Sequence, residues 1–411
     1  MAYFEDYHSL KQIYHSAGNN CIVPGSSFQI LNIPFYSSND FASNVADNYA
    51  QTRNELAVYL KGKNETDVKV ASIIKDLFEK EDCDVEQNNH FDYSMFKAAN
   101  DERSKRVIIL LHGFNEKYWD KYLPWAKALL ERTGKDVILF PISFHMNRAP
   151  AAWSAPRLMK ELSLIRNKVY PENFCSSLVN ASISARLNIK PTRFLWSGIK
   201  TINDLVQLVS IIRSGCHPNI SPDASIDFFG YSIGAFLSEI LLMADPENLF
   251  GASRLFIFCG GPTFDLMDSV SKFIIDSSAN SVLHDLYVEN FDENICGNQF
   301  LATYFEKNTS TGHFFRSMLS QNKMKTERIN RLIKIGSRIC ALALKQDIVM
   351  KPQSVMQTLK YDYKTMPVRI KVMDYPYKYD HINPFPVNEK IQKTVNSSFE
   401  DTFNYASDFL K

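Results

Sequence analysis

Neither sign of charge prevails in this chain: 46 lysines and arginines face 45 aspartates and glutamates, leaving +1 over 411 residues. So even a balance supplies no long-range field for nucleic acid or an anionic membrane, and no local basic patch stands out. Cysteine is sparse and dispersed. The seven, Cys21, Cys83, Cys175, Cys216, Cys259, Cys296 and Cys340, form no CxxC pair. That odd, scattered set speaks against a disulfide framework and against zinc, and predicts reduced thiols. The opening MAYFEDYHSLKQIYHS has neither a basic start nor an apolar centre, so no secretory signal is read there. No apolar run approaches the ~18 residues that span a bilayer. Internal repeats, low-complexity segments and sustained heptad seams are also missing. The expectation is a soluble cytoplasmic protein without metal or other cofactor, of open oligomeric state.

What is present is apolar and aromatic, at 45% and 13% of residues; such aromatic content fills a core more often than it lines a pocket. The chain is organised around Ser225 to Pro246, SIDFFGYSIGAFLSEILLMADP. Ile226, Phe228 and Phe229 read as a buried strand, and Ala235 to Met243 as a helix apolar on most sides, stopped by Asp245-Pro246. Between them stands Gly230-Tyr231-Ser232-Ile233-Gly234, a GxSxG turn so tight that its flanking positions must lack side chains. Such a turn lifts Ser232 out at the carboxyl end of a sheet, with the Ile233 N–H beside it. The bland alternative is a serine that only caps the helix.

Short apolar runs at Val107–Leu111, Val137–Phe140, Ile226–Phe229, Leu255–Cys259, Ile339–Leu344 and Val368–Met373 are spaced by crossover-sized segments. They predict an α/β fold with a mostly parallel central sheet and helices on both faces. Residues 1–100 form an N-terminal segment with antiparallel edge strands at Phe28–Phe35 and His90–Met95, and a helix over Val68–Lys80. The core is assigned to 101–261 and 336–411. Two intervals exceed a plain crossover: about 145–195, read as a first cap insertion, and 262–335, a second. With eight basic and nine acidic residues the second shows no bias toward a charged substrate.

A serine nucleophile needs a base and a group to orient that base. Three histidines follow Ser232, namely His284, His313 and His381. His381, in the loop YDHINPF just past the last strand, is placed to hang over the sheet edge, whereas the other two fall within the second insertion. For the acid, Asp347 stands just beyond Ile339–Leu344, with Asp374 and Asp362 as rivals and Asp380 too close to the histidine to bridge it. Ile233 supplies one oxyanion N–H, and Phe114, after His112-Gly113, the second. Candidate substrate contacts are Asn115 (or a cap for the next helix), His145, Arg148 (or a structural ion pair) and Tyr231. Cys259 is expected to be buried rather than reactive.

Taken together, LLHGFNE, FFGYSIGAF, ALALKQDIV and YDHINPF resemble the α/β-hydrolase superfamily over roughly residues 100 to 261 and 336 to 400. More narrowly, PISFHMNRAP with HGFNE and YDHINPFP resembles an uncharacterised bacterial group of such proteins. The resemblance implies a Ser232, Asp347, His381 triad and an oxyanion hole at Phe114 and Ile233. Where that family's acid turn usually opens with glycine, this chain has Leu344-Lys345-Gln346. The expected activity is a serine hydrolase cleaving a carboxylic ester or related acyl bond of a small-molecule acyl substrate. The rivals are an acyltransferase on the same triad and a catalytically inactive binding protein on the fold.

Overall fold

The computed structural model describes residues 3–16, 20–38, 80–100, 102–295, 304–305, 310–360 and 365–411. The helix expected over Val68–Lys80 lies, but for Lys80, outside the described residues.

Nine strands form one sheet: β1 (Asn20–Ile22), β2 (Phe28–Tyr36), β3 (His90–Ala98), β4 (Ser104–Leu111), β5 (Asp136–Phe140), β6 (Ile220–Tyr231), β7 (Leu255–Phe258), β8 (Ile339–Leu344) and β9 (Arg369–Met373). Their spatial order is β1-β2-β3-β5-β4-β6-β7-β8-β9. β1, β2 and β3 pair antiparallel in succession and β3 joins β5 antiparallel, while β5, β4, β6, β7, β8 and β9 are parallel to one another. This is the α/β-hydrolase fold, with β1 added at the antiparallel edge.

The longer helices are α1 (Tyr3–Ser16), α2 (Leu123–Thr133), α3 (Pro156–Val169), α4 (Ala181–Ile189), α5 (Thr192–Arg213), α6 (Ile233–Ala244), α7 (Ser277–His284), α8 (Thr311–Ser317), α9 (Lys325–Ile335), α10 (Pro352–Leu359) and α11 (Gln392–Leu410). Strand alternation divides the core between two faces. Val107, Ile109 and Leu111 of β4 pack with α5 and α6 on one side. Ile108 and Leu110 pack with α1, α2 and α11 on the other. A β4 buried on both faces is what makes VIILL a continuous apolar run. No helix among the described residues is long and apolar enough to cross a membrane.

Most strand boundaries shift from the sequence expectation by a few residues, and two of the shifts have a plain physical reason. β6 begins at Ile220 rather than Ile226, because Ser104 pairs with Ile220 across a register shift that accommodates Pro222 and Asp223. β7 ends at Phe258, since Cys259 turns to φ 49°. The polar opening segment forms α1, whose Tyr3 and Leu10 are buried, with the Tyr3 ring 4.6 Å from that of Phe399 on α11.

The excess between β5 and β6 holds α3 and α4, and that between β7 and β8 holds α7, α8 and α9. The two are fastened to each other. Arg166 of α3 forks onto Asp276 with Nε and Nη2 each 2.8 Å from a carboxylate oxygen, both side chains fully buried. Asp276 also caps α7 by accepting the Ala279 N–H.

Candidate active site

β6 runs straight into α6 with Ser232 alone between them, at φ 56°, ψ −120°. A non-glycine residue held there is strained, and it persists because its surroundings leave no alternative. A Cβ at Gly234 would sit 2.4 Å from the Leu111 carbonyl oxygen, and one at Gly230 2.5 Å from the Ala235 Cα. Bare backbone at both positions lets β6 and α6 press against each other and against β4, which leaves Ser232 at the crest.

Ser232 Oγ lies 2.8 Å from His381 Nε2, and His381 Nδ1 lies 2.8 Å from Asp347 Oδ2. A carboxylate only accepts, so Nδ1 carries the hydrogen and Nε2 is the lone-pair nitrogen facing the serine hydroxyl. Asp347 Oδ1 accepts the Val349 and Met350 N–H groups, each at 2.9 Å, so the whole carboxylate is anchored. Ser232, Asp347 and His381 are all buried. The turn leading to Asp347 bonds its N–H to the Leu344 carbonyl and the Gln346 N–H to the Tyr379 hydroxyl. None of residues 344–347 adopts a positive φ, so the turn has no need of glycine.

The loop carrying His381 is held by four side chains, two of them on α1 and β6. Its carbonyls at His381, Ile382, Pro384 and Phe385 accept from Tyr231, Lys121, Tyr377 and Tyr3 respectively. Asp380, set aside as a bridge to the imidazole, instead accepts the Asn383 N–H at 2.8 Å and closes the turn. The tethers from Tyr3, Lys121 and Tyr377 are the part sequence reasoning missed. A signal existed for one of them: Tyr375, Tyr377 and Tyr379 alternate just before His381, a period of two that aligns side chains.

On the other side of Ser232, Gly113 donates its N–H to Tyr122 Oη at 2.9 Å, and that hydroxyl donates to Glu116. Phe114 and Ile233 follow Gly113 and Ser232, Ile233 in the first helical position, where an N–H lacks an intrahelical acceptor. Among the described residues neither N–H meets a protein acceptor. His112 braces the loop: its Nδ1 is 2.7 Å from the Gly113 carbonyl, and its Nε2 accepts the Ile142 N–H. Burial holds its pKa well below the usual value, with His145 adding to the effect.

The candidate substrate contacts fare differently. Arg148 is corrected to a structural residue: fully buried, it donates to Asn88, Pro141 and Asp204 and lies 4.0 Å from the Phe91 ring. Tyr231 is corrected likewise, since its ring packs away from the serine against Trp125 and Phe258 and its hydroxyl is taken by His381. Asn115 caps no helix; its amide donates to the Val179 and Phe273 carbonyls and so ties the loop after β4 to both insertions. His145 is buried beside Phe114, ring centroids 5.4 Å apart.

The remaining alternatives lie apart from the serine. Asp374 accepts from Gln346 and Tyr379, and Asp362 is outside the described residues. His284 is exposed beside Glu289, and His313 sits on α8. Cys259 is buried; desolvation and the neighbouring Asp347 carboxylate push its thiol pKa up, so it stays protonated.

A cleft of about 390 Å³ opens at Ser232, walled chiefly by Phe114, Ile233, Phe264, Met267, Ile275 and Met350. Its roof is therefore drawn from the second insertion. An apolar cleft over a serine that is hydrogen-bonded to an imidazole and flanked by two unpaired N–H groups can polarise and attack a carbonyl.

The model of a family of unknown function, DUF6051, matches residues 1–411. No curated protein matches the chain. Among solved structures, it is similar to carboxyl esterase 2 of the mycorrhizal fungus Tuber melanosporum, at 10% identity and TM-score 0.43 over 79% of this chain and 82% of that one. It is also similar to the Pyrococcus furiosus esterase Pf2001, at 14% identity and TM-score 0.37 over 78% and 86%. A thermostable esterase from Pseudomonas putida ECU1011 is similar at 9% identity and TM-score 0.38 over 88% and 98%. Likenesses this distant carry no argument about chemistry.

Proposed function

We propose that this chain, which belongs to the DUF6051 family over its whole length, is a serine hydrolase that cleaves a carboxylic ester through an acyl-enzyme. The observation that carries the reading is the unbroken line from Ser232 Oγ through His381 to Asp347, at 2.8 Å and 2.8 Å, under a serine held at positive φ.

Ser232 Oγ attacks the ester carbon while His381 Nε2 takes its proton. Asp347 keeps that nitrogen free by holding the hydrogen on Nδ1, and its charge stabilises the imidazolium that forms. The carbonyl π electrons move onto oxygen, where the Phe114 and Ile233 N–H groups receive them; each such donor is worth about 10²–10³ in rate. Collapse re-forms the carbonyl and breaks the bond to the alkoxy oxygen, which leaves with the proton from His381. A water, deprotonated by His381, then attacks the acyl carbon and releases the carboxylic acid and free Ser232. The free thiols among the described residues, Cys83, Cys175, Cys216, Cys259 and Cys340, are in keeping with a reducing, cytoplasmic setting.

The test is to mix the protein with p-nitrophenyl acetate, quench early and weigh the intact chain. One acetyl group, mapped to the peptide holding Ser232, supports the reading; turnover without a covalent intermediate contradicts it. Accumulation of a new ester when an alcohol is added would favour acyl transfer over hydrolysis.

A further inference from the structure

Behind the loop that carries Phe114 lies a second, mainly apolar chamber, partly enclosed by the protein. α5 and α6 form one wall of it, through Ile199, Ile202, Phe236, Leu237 and Ile240. Gly198 keeps the two helices from closing the space: a Cβ there would meet only Leu237 Cδ2, at 3.6 Å. The chamber shares Phe114, Phe194 and Ile233 with the Ser232 cleft. The Phe114 and Phe194 rings stand 6.2 Å apart and line both spaces, so they form the partition between them.

The side on which the chamber lies decides which half of an ester enters it. One end of it, Ile142 to His145, follows β5, whereas Asp347 and His381 follow β8 and β9, across β6 from it. The leaving alkoxide must meet His381 to be protonated, so it departs toward β8 and β9. The acyl chain is left the opposite direction, into the chamber.

His145 lines this chamber and has one nitrogen unused. Its Nδ1 is 2.8 Å from the Ser143 carbonyl, which can only accept, so Nδ1 bears the hydrogen. Burial drives the pKa down to about 4, which keeps the ring neutral and makes Nε2 an acceptor. Among the described residues no group donates to Nε2. The imidazole adjoins Phe114, which borders both spaces, so His145 stands at the end of the chamber nearest the Ser232 cleft.

We propose that the inner chamber holds the acyl chain of the substrate and that His145 Nε2 accepts a hydrogen bond from a hydroxyl on that chain near its carbonyl. The substrate class is then the ester of an elongated hydroxyacyl group. This rests on Ser232 being the nucleophile.

The full chain is tested on p-nitrophenyl acetate, octanoate and β-hydroxyoctanoate. Each methylene that enters the chamber raises kcat/KM by about fourfold until the chamber is full, so octanoate exceeds acetate by more than about tenfold. The hydroxyl adds roughly tenfold more, because it pairs a buried acceptor that a plain chain leaves unpaired. Gly198→Leu, which fills the gap without strain, removes the octanoate advantage. His145→Leu removes the hydroxyl advantage, and His145→Gln, whose Oε1 stands near the place of Nε2, restores part of it. A native profile in which acetate equals octanoate, or in which the hydroxyl brings no gain because water already serves Nε2, overturns the proposal whether or not the variants fold. Acetate turnover and phosphonate labelling of Ser232 are read alongside. If they fail, the hydrolase reading falls; if they hold while the profile is flat, only this proposal falls.

Discussion

Tyr231 and His381 are joined twice. Their rings stack with centroids 5.6 Å apart and planes within 13°, and the Tyr231 hydroxyl donates to the His381 carbonyl. The residue just before Ser232 thus sets the height of the imidazole above that serine. Burial pushes the Tyr231 pKa well up, so its hydroxyl remains a donor at any working pH. Lys121 grips the next carbonyl, at Ile382, from 2.9 Å, with its ammonium 4.7 Å from the Tyr231 ring centre.

Tyr231→Phe leaves the His381 carbonyl buried and unpaired, a cost of about 1–3 kcal/mol. The loop relieves it by shifting, which lengthens the bond from Nε2 to Ser232. The expected outcome is a fall in kcat of about tenfold with KM nearly constant, and Lys121→Met acts in the same direction. Steady-state kinetics on a short ester checks it; a change confined to KM would contradict a positioning role.

Asp347→Asn reverses a proton. The Val349 and Met350 N–H groups hold one side-chain oxygen, so the amide nitrogen turns to His381 and donates to Nδ1. The imidazole hydrogen moves to Nε2, which can no longer accept from Ser232. Activity should fall by about 10⁴. Asp374→Asn, at a carboxylate bonded to Gln346 and Tyr379 instead, should lose little. Equal losses in the two variants would remove Asp347 from its role.

How the sequence could and could not reveal this site follows from distance along the chain. The GYSIG turn is legible because strand, turn and helix lie within two dozen residues, each constrained by its neighbours. Asp347 is legible as a carboxylate just past the buried run Ile339–Leu344, and His381 as the histidine in the loop after the last strand. Tyr3, by contrast, reaches Phe385 across 382 positions, and no local pattern announces such a contact. Arg148 is ambiguous for the same reason: its partners Asn88 and Asp204 are 60 and 56 positions away. The first half of β6 is hidden by Pro222 and Asp223, whose turn-like chemistry masks a strand that β4 imposes.

Asp276→Ala removes the partner of a fully buried arginine and the cap of α7 together. Stranding Arg166 costs about 3–5 kcal/mol. Since this pair joins the two insertions, the loss should appear first as faster proteolysis near residues 170–180 and 265–280, and then as a lowered Tm. Global unfolding with no earlier cleavage there would show that the pair serves the core instead.

His112 and His145 are neutral in the fold because burial depresses both pKa values, His145 to about 4. Unfolded histidine titrates near ~6.5. Between those values the unfolded chain binds protons that the fold refuses, so stability is complete above about pH 6.5 and is lost as pH falls toward about 4. Denaturant unfolding at about pH 7 and about pH 5 should show this loss, and His145→Gln should reduce its slope. A slope identical in the variant would remove His145 from the account.

The most direct measurement of the central claim is labelling with a short fluorophosphonate, followed by peptide mapping. The phosphonyl group should be found on Ser232 alone, slowly or not at all in Asp347→Asn, and absent in Ser232→Ala, which should melt as the parent does. Labelling at another residue, or undiminished labelling of Ser232→Ala, would contradict Ser232 as the activated nucleophile.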